Sequence, residues 1–282
     1  MAPEEFVWLN DDLIPLSLAR VSVQDRGFLY GDGFFETLRA EGGKVFFLRE
    51  HLERLKASAA AFRLAFPTLP WEMRLRQLLA ANGMDRGVAR VKILLTRGAV
   101  EGLGLPPAAS PTLVIWARPY IPPSPEEYAA GWPVATFPEG RATFLGRHKS
   151  LNYLFYLAAR QFALDRGAKE ALILEADGRI SEGAATSLVY LSAGRYYTPE
   201  AASALPGVTL ALLSRALKKQ GLGLEWTPTH VSQLKEAQGI WLANSLMGLM
   251  PVASLDGEPV TRSDRSSFLQ QILGAEAQAS DF

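Results

Sequence analysis

Apolar residues recur at helical spacing in five stretches of the chain and gather into short β-rich runs between them. Residues 51–62 carry Leu52, Leu55, Ala59 and Phe62 on one face, and 71–81 repeat the spacing with Leu75, Leu78 and Leu79, so both predict amphipathic helices. The same period places Leu151, Leu154, Phe155, Ala158 and Phe162 together over 150–164, with Asp165-Arg166-Gly167 as the stop. Further helices are expected over 208–220 and from about 265. Runs at 6–10, 44–48, 89–97, 112–117, 171–176, 186–192 and 240–243 are short and rich in Val, Ile and Leu, as strands are. Asp177-Gly178 between two such runs predicts a hairpin, and Asp256-Gly257 a second turn. The mixture reads as α+β.

Proline then divides the pattern. Nine of the eighteen prolines lie between Pro106 and Pro138, where missing amide donors and a fixed φ disfavour continuous helix or central strand. The expected organisation is a small N-terminal α/β domain over 1–118, a linker over 119–131 and a larger C-terminal domain over 132–282.

Composition removes whole classes of function. With 29 basic and 29 acidic residues in 282, no broad field is available for nucleic acid or an anionic membrane. The absence of cysteine excludes disulfides, thiolate zinc sites and cysteine nucleophiles, while three scattered histidines, His51, His148 and His230, make a histidine metal cage improbable. No run of about 18 apolar residues occurs, and the acidic N-terminal segment lacks the features of a leader. The expectation is a cytoplasmic protein acting on a small molecule, with no metal.

The common nucleotide, Rossmann, hydrolase and zincin motifs are absent. What remains is an ordered series: QDRGFLYGDGFFETLR (24–39), HLERL (51–55), RHKSLNYL (147–154), GRISEGAATSLVY (178–190), LPGVT (205–209) and ANSLMGLMPV (243–252). Read alone, each segment has an ordinary explanation: a solvated Lys149 at a helix start, a polar strand end at Glu182, a solvent-facing Arg54, a plain helix cap at Val208-Thr209.

Read in order over essentially the whole chain, the series resembles the fold-type IV enzymes that use pyridoxal 5'-phosphate (PLP). These include branched-chain and D-amino-acid aminotransferases and 4-amino-4-deoxychorismate lyases. The resemblance implies a C-terminal domain with a β-barrel-like core and a homodimer. It makes Lys149 the Schiff-base lysine, an amine that must be neutral to react. Glu182 becomes the carboxylate facing the pyridine nitrogen, and Arg54 a phosphate anchor able to make paired bonds. Backbone donors at Val208 and Thr209, the Thr209 hydroxyl and Ser245 are implied as further phosphate contacts. On the substrate side stand Phe35, Arg97, Asn244, Leu246 and Met247, while Arg147 and His148 could contact substrate or shape the turn.

Among the members, the expectation on motif grounds is the lyase, which releases pyruvate from aminodeoxychorismate to leave 4-aminobenzoate for folate synthesis. G-D-G-x-F-x-T, K-x-L-N and N-x-L-M-x-x-M-P-V are reproduced, and the R-x-H carboxylate trap of D-amino-acid aminotransferases is missing after Thr96-Arg97-Gly98. A branched-chain or D-amino-acid aminotransferase of the same fold is the alternative. Retention of Lys149, Glu182 and Arg54 disfavours a non-enzymatic binding protein.

Overall fold

A computed structural model describes residues 4–107 and 110–279. The chain packs as two units: one runs up to Pro122 and includes Lys149–Asn152, and the other holds Pro123–His148 and Tyr153–Ala279.

The first unit is built on β1 (Phe6–Leu9), β2 (Asp12–Pro15), β3 (Gly33–Glu41), β4 (Lys44–Val45), β5 (Val88–Thr96) and β6 (Thr112–Pro119). They form one antiparallel sheet in the order β2-β1-β6-β5-β3-β4. Helices α1 (Arg26–Tyr30), α2 (Leu48–Ala61) and α3 (Trp71–Ala81) complete it. Alternation in β5 buries Ala89, Val91, Ile93 and Leu95, which pack with Leu55 of α2 and with Leu75, Leu78 and Leu79 of α3 in one core. Each such leucine removed from water contributes roughly 1.5–3 kcal/mol.

Two local differences from the sequence pattern bear on function. The strand expected over 44–48 stops at Val45, because Phe47 adopts a left-handed φ of 56° and turns the chain into α2 at Leu48. The helix expected from 150 starts instead at Leu154. Residues 149–152 run beside the start of β3, with the Phe35 amide donating to the Lys149 carbonyl at 2.8 Å and Leu151 N–H to Gly33 O at 2.9 Å. A Cβ on Gly33 would fall 2.9 Å from the Leu151 side chain and 2.6 Å from Leu95 O, so this approach needs glycine.

In the second unit, α4 (Pro125–Ala130) precedes β7 (Trp132–Thr136) and α5 (Leu154–Leu164). Strands β8 (Glu170–Leu174), β9 (Ile180–Gly183), β10 (Ser187–Ser192) and β11 (Arg195–Pro199) follow, then α6 (Val208–Lys219), β12 (Leu224–Thr227) and α7 (Val231–Lys235). The chain ends in β13 (Gly239–Asn244), β14 (Gly248–Leu255), β15 (Glu258–Pro259) and α8 (Ser266–Ala279). The sheet order is β12-β11-β10-β13-β14-β7-β8-β9, with β15 on β14. Because β9 also packs against β10 and β11, the sheet curls on itself. Its interior is filled by Leu188, Tyr190, Leu242, Met250 and Val252.

The strand expected over 186–192 is preceded by an unanticipated one, β9, since Gly183 N–H turns back onto Thr186 O at 2.7 Å. The stretch 119–131 contains α4, whose start is fixed by a reciprocal cap between Ser124 and Glu127. No helix among the described residues is long and apolar enough to cross a membrane.

Candidate active-site residues

In the first unit, the backbone pairing of 149–152 with β3 brings the Lys149 ammonium over the Phe35 ring, 4.8 Å from its centroid. Lys92 of β5 faces the same ring at 4.5 Å. Each ammonium lies within the range at which a cation is attracted by the quadrupole of an aromatic ring. Burial, followed by the neighbouring Arg90 charge, lowers the Lys92 pKa from the ordinary lysine value.

Beneath this face lies a buried charge cluster. Glu36 points inward from β3 between Phe34 and Leu38, on the face that otherwise forms core. Its carboxylate accepts from Arg54 Nε at 2.8 Å and Nη2 at 2.6 Å, and from His51 Nδ1 at 2.7 Å. His51 and Arg54 stand three residues apart on α2, so one helical face presents both to one carboxylate. Burial would raise the Glu36 carboxyl, but the Arg54 charge and then His51 outweigh it and hold it at about 2. His51 is lowered, by burial first and by the Arg54 and Lys149 charges, against the opposing pull of Glu36. The ring is therefore neutral, with Nδ1–H donated to Glu36 and Nε2 buried without a hydrogen-bond partner. The sequence signal for Glu36 lies in the alternation, which puts a carboxylate at a core position of a strand.

Arg97 has a different setting from the substrate contact expected of it. It is completely buried, makes a bidentate pair with Asp32 (Nε 2.8 Å, Nη2 3.1 Å), and donates to the carbonyls of Phe62, Arg63 and Pro106. Arg26 closes the other side of Asp32 at 2.8 Å. These bonds tie the end of β5 to the loops after α2 and before β6, which is structural work.

In the second unit, Glu182 on β9 is buried. Its Oε1 accepts from the Tyr156 hydroxyl at 2.7 Å and lies 3.6 Å from Arg141 Nη2, while Oε2 accepts from Leu205 N–H at 3.1 Å. Leu205 stands two residues before Gly207, the N-cap of α6, so the carboxylate is tied to the helix start. Tyr153 donates to Ala184 O at 3.0 Å. Arg147 is spent on the Ala202 carbonyl at 2.7 Å, and His148 is lowered by burial and by Arg147.

No side chain caps the start of α6, which leaves its first-turn amides directed outward from Val208 and Thr209. A Cβ on Gly207 would meet Ser187 Oγ at 2.4 Å, so glycine permits the tight entry. Thr209 Oγ1 and Ser245 Oγ lie 3.5 Å apart. Uncapped helix amides with two convergent hydroxyls are a donor set suited to phosphate. Asn244 makes a turn: its Oδ1 accepts from Leu246 N–H and Met247 N–H, both at 3.0 Å. Met247 belongs to the core, with its carbonyl accepting from Tyr128, and Leu246 is half-buried. These three residues thus shape the β13–β14 connection. Among the described residues no group of three or more acidic or histidine side chains is placed to hold a metal.

An antiparallel sheet with flanking helices and a curled nine-stranded sheet give the mixed α+β fold of fold-type IV. The sequence matches the family described as amino-transferase class IV over residues 33–255, and the chain belongs to that family. Its cofactor is pyridoxal 5'-phosphate, as the motif series implied, and the donors present fit it. The chain is 30% identical over 277 residues to "Branched-chain-amino-acid aminotransferase-like protein 1" of Arabidopsis thaliana, covering 93% of this chain and 49% of that protein. It therefore spans about half the length of that relative. A D-alanine aminotransferase of Listeria monocytogenes is 28% identical, with 95% of this chain and 96% of the relative covered. The branched-chain amino acid aminotransferase of Escherichia coli superposes with a TM-score of 0.86 at 26% identity, covering 99% and 96% of the two chains.

Proposed function

We propose that the protein is an amino-acid aminotransferase. The observation that carries this reading is the class IV match over 33–255, which takes in every candidate residue from Phe35 to Met247. The relatives' names, branched-chain and D-alanine aminotransferase, support transamination over the lyase activity expected from the motifs.

When bound, PLP supplies an electrophilic aldehyde and a ring that can take up an electron pair. Lys149 would hold the aldehyde and would supply the amine that moves a proton at the amine-bearing carbon of a substrate. Glu182 would be the residue to hold a proton on the ring nitrogen. Arg54, oriented by Glu36, and the donors at Val208, Thr209 and Ser245 take the phosphate. Phe35 walls the reacting end, and Lys92 offers a cation for a substrate carboxylate. Arg97 and Asn244 are assigned structural roles, with Leu246 and Met247 serving at most as wall.

The functional form is a homodimer. The first unit exposes Leu18, Val21, Val23, Phe28, Leu29 and Tyr30 within a short stretch, an apolar surface that a second copy would cover. Sedimentation at micromolar concentration should give twice the chain mass.

The deciding experiment is single-turnover absorbance of the PLP-loaded protein with L-leucine, D-alanine or aminodeoxychorismate. Conversion of the cofactor to its amine form by an amino acid, reversed by a keto acid, is expected. Stoichiometric 4-aminobenzoate and pyruvate from aminodeoxychorismate without any keto acid, with both amino acids inert, would replace this reading by the lyase.

A further inference from the structure

The grip on Glu182 comes from three different segments of the second unit. Tyr156 is the third residue of α5, Arg141 lies in the loop after β7, and Leu205 lies ahead of α6. The phenol of Tyr156 donates to Glu182 Oε1 at 2.7 Å. Arg141 Nη2 donates in turn to the Tyr156 oxygen at 2.5 Å, with its guanidinium 4.5 Å over the Tyr156 ring and 5.3 Å over Phe155. Tyr153 stacks on the Tyr156 ring, 4.9 Å between centroids and 29° from parallel. Burial, then the charge of Glu182, pushes the Tyr156 hydroxyl well above the ordinary tyrosine range. It stays protonated, and its one proton is committed to the carboxylate.

We propose that Tyr156 is a positioning residue that orients Glu182 and lowers its basicity, and thereby decides where the proton between Glu182 and the cofactor's ring nitrogen resides. The inference rests on the assignment of Glu182 to that nitrogen. A hydrogen bond donated to a carboxylate stabilises the anion and weakens its hold on a proton. Each carboxylate oxygen has two lone-pair directions, so occupation of Oε1 by Tyr156 and of Oε2 by Leu205 N–H still leaves acceptor capacity for a ring N–H. The charged and titratable groups around Glu182 include Arg141, Tyr153 and Tyr156. Arg141 acts in the same direction, but at 3.6 Å it reaches the carboxylate mainly through the phenol it polarises. Removing only the Tyr156 oxygen therefore breaks a relay while leaving the ring stack in place.

The test uses Tyr156→Phe in two states of the full chain. In the cofactor-free protein, carbon NMR of carboxyl-labelled glutamate, assigned with Glu182→Gln, should show the Glu182 titration rising by about one unit, as expected for one lost hydrogen bond to a charged group. In the protein loaded with PLP labelled with nitrogen-15 in the ring, the resonance should be that of a protonated nitrogen in wild type at neutral pH. In Tyr156→Phe it should move toward the unprotonated form, with turnover falling by about tenfold. Incorporation of 3-fluorotyrosine at 156, a stronger donor of nearly the same shape, should move the Glu182 titration the opposite way and keeps the test open if Tyr156→Phe does not fold. An unchanged Glu182 titration in either folded variant overturns the proposal. A titration that moves while the ring nitrogen ignores both Glu182→Gln and Tyr156→Phe overturns instead the placement of Glu182 at the ring.

Discussion

Glu36 and Arg54 meet as a two-point pair inside the first unit, with Nε and Nη2 of the arginine 2.8 and 2.6 Å from the two carboxylate oxygens. The carboxylate comes from the sheet and the guanidinium from α2, so the pair fixes the rotamer of the residue assigned to the cofactor phosphate. Removal of either partner would leave a charge in a site with almost no access to water.

That burial gives a signed pH dependence. The Glu36 carboxyl is held at about 2, below its reference value of 4.5, so its contribution is fully present above pH 4.5 and is lost as pH falls through 2. The shift corresponds to roughly 3 kcal/mol at neutral pH. His51, also lowered, adds a loss of the same sign that begins as pH drops below its reference value of 6.5. Urea unfolding of Glu36→Gln is expected to show a deficit of about that size at pH 7 that closes between pH 4.5 and 2. A wild-type-minus-variant difference that does not vary with pH would contradict it.

Lys149 should be the attachment point of the cofactor. Borohydride reduction of the loaded protein, followed by peptide mapping, is expected to place the label on Lys149 and leave Lys92 unmodified, although both face Phe35. Lys149→Ala should bind PLP without fixation and lose at least about a thousandfold in turnover, since it removes both attachment and proton transfer. Label on Lys92 would exchange the roles of the two lysines.

Periodicity made the amphipathic helices legible: α3 falls at 71–81 as expected, and α6 within a residue of 208–220. The segment around Lys149 was harder. Leu151, Leu154, Phe155 and Ala158 carry a helical spacing, yet residues 149–152 pair with β3 through two backbone hydrogen bonds, and no local pattern reports a long-range bridge. The order of the motifs supplied the class and its cofactor. It could not supply the residues that hold others in place, because Tyr156 and Arg141 meet Glu182 only after α5 has packed on the strands. Arg97 shows the opposite case: its T-R-G context resembles a substrate loop, while its guanidinium is bonded to Asp32 and three carbonyls that no local pattern reports.

Arg97 therefore yields a prediction about stability. Arg97→Ala strands Asp32 with Arg26 alone and orphans three buried carbonyls, a loss of about 3–5 kcal/mol for a broken buried ion pair. Any folded fraction should bind amino-acid substrates with near wild-type KM. Wild-type stability combined with a large rise in KM would return Arg97 to the substrate side.

The two hydroxyls at the start of α6 and in the β13–β14 turn test the phosphate assignment. Thr209 Oγ1 and Ser245 Oγ lie 3.5 Å apart, a separation at which both can donate to oxygens of one phosphate. A hydrogen bond to a charged acceptor contributes roughly 1.5–3 kcal/mol, so Thr209→Ala and Ser245→Ala should each weaken PLP binding by at least about tenfold. Pyridoxal, which lacks the phosphate, serves as the internal control: its affinity should be nearly unchanged in both variants, so the ratio of PLP to pyridoxal affinity falls. Because the hydroxyls share one ligand, the double variant should depart from additivity. Equal losses for PLP and pyridoxal would mean that the substitutions disturb the fold around α6, and the phosphate would have to be assigned elsewhere.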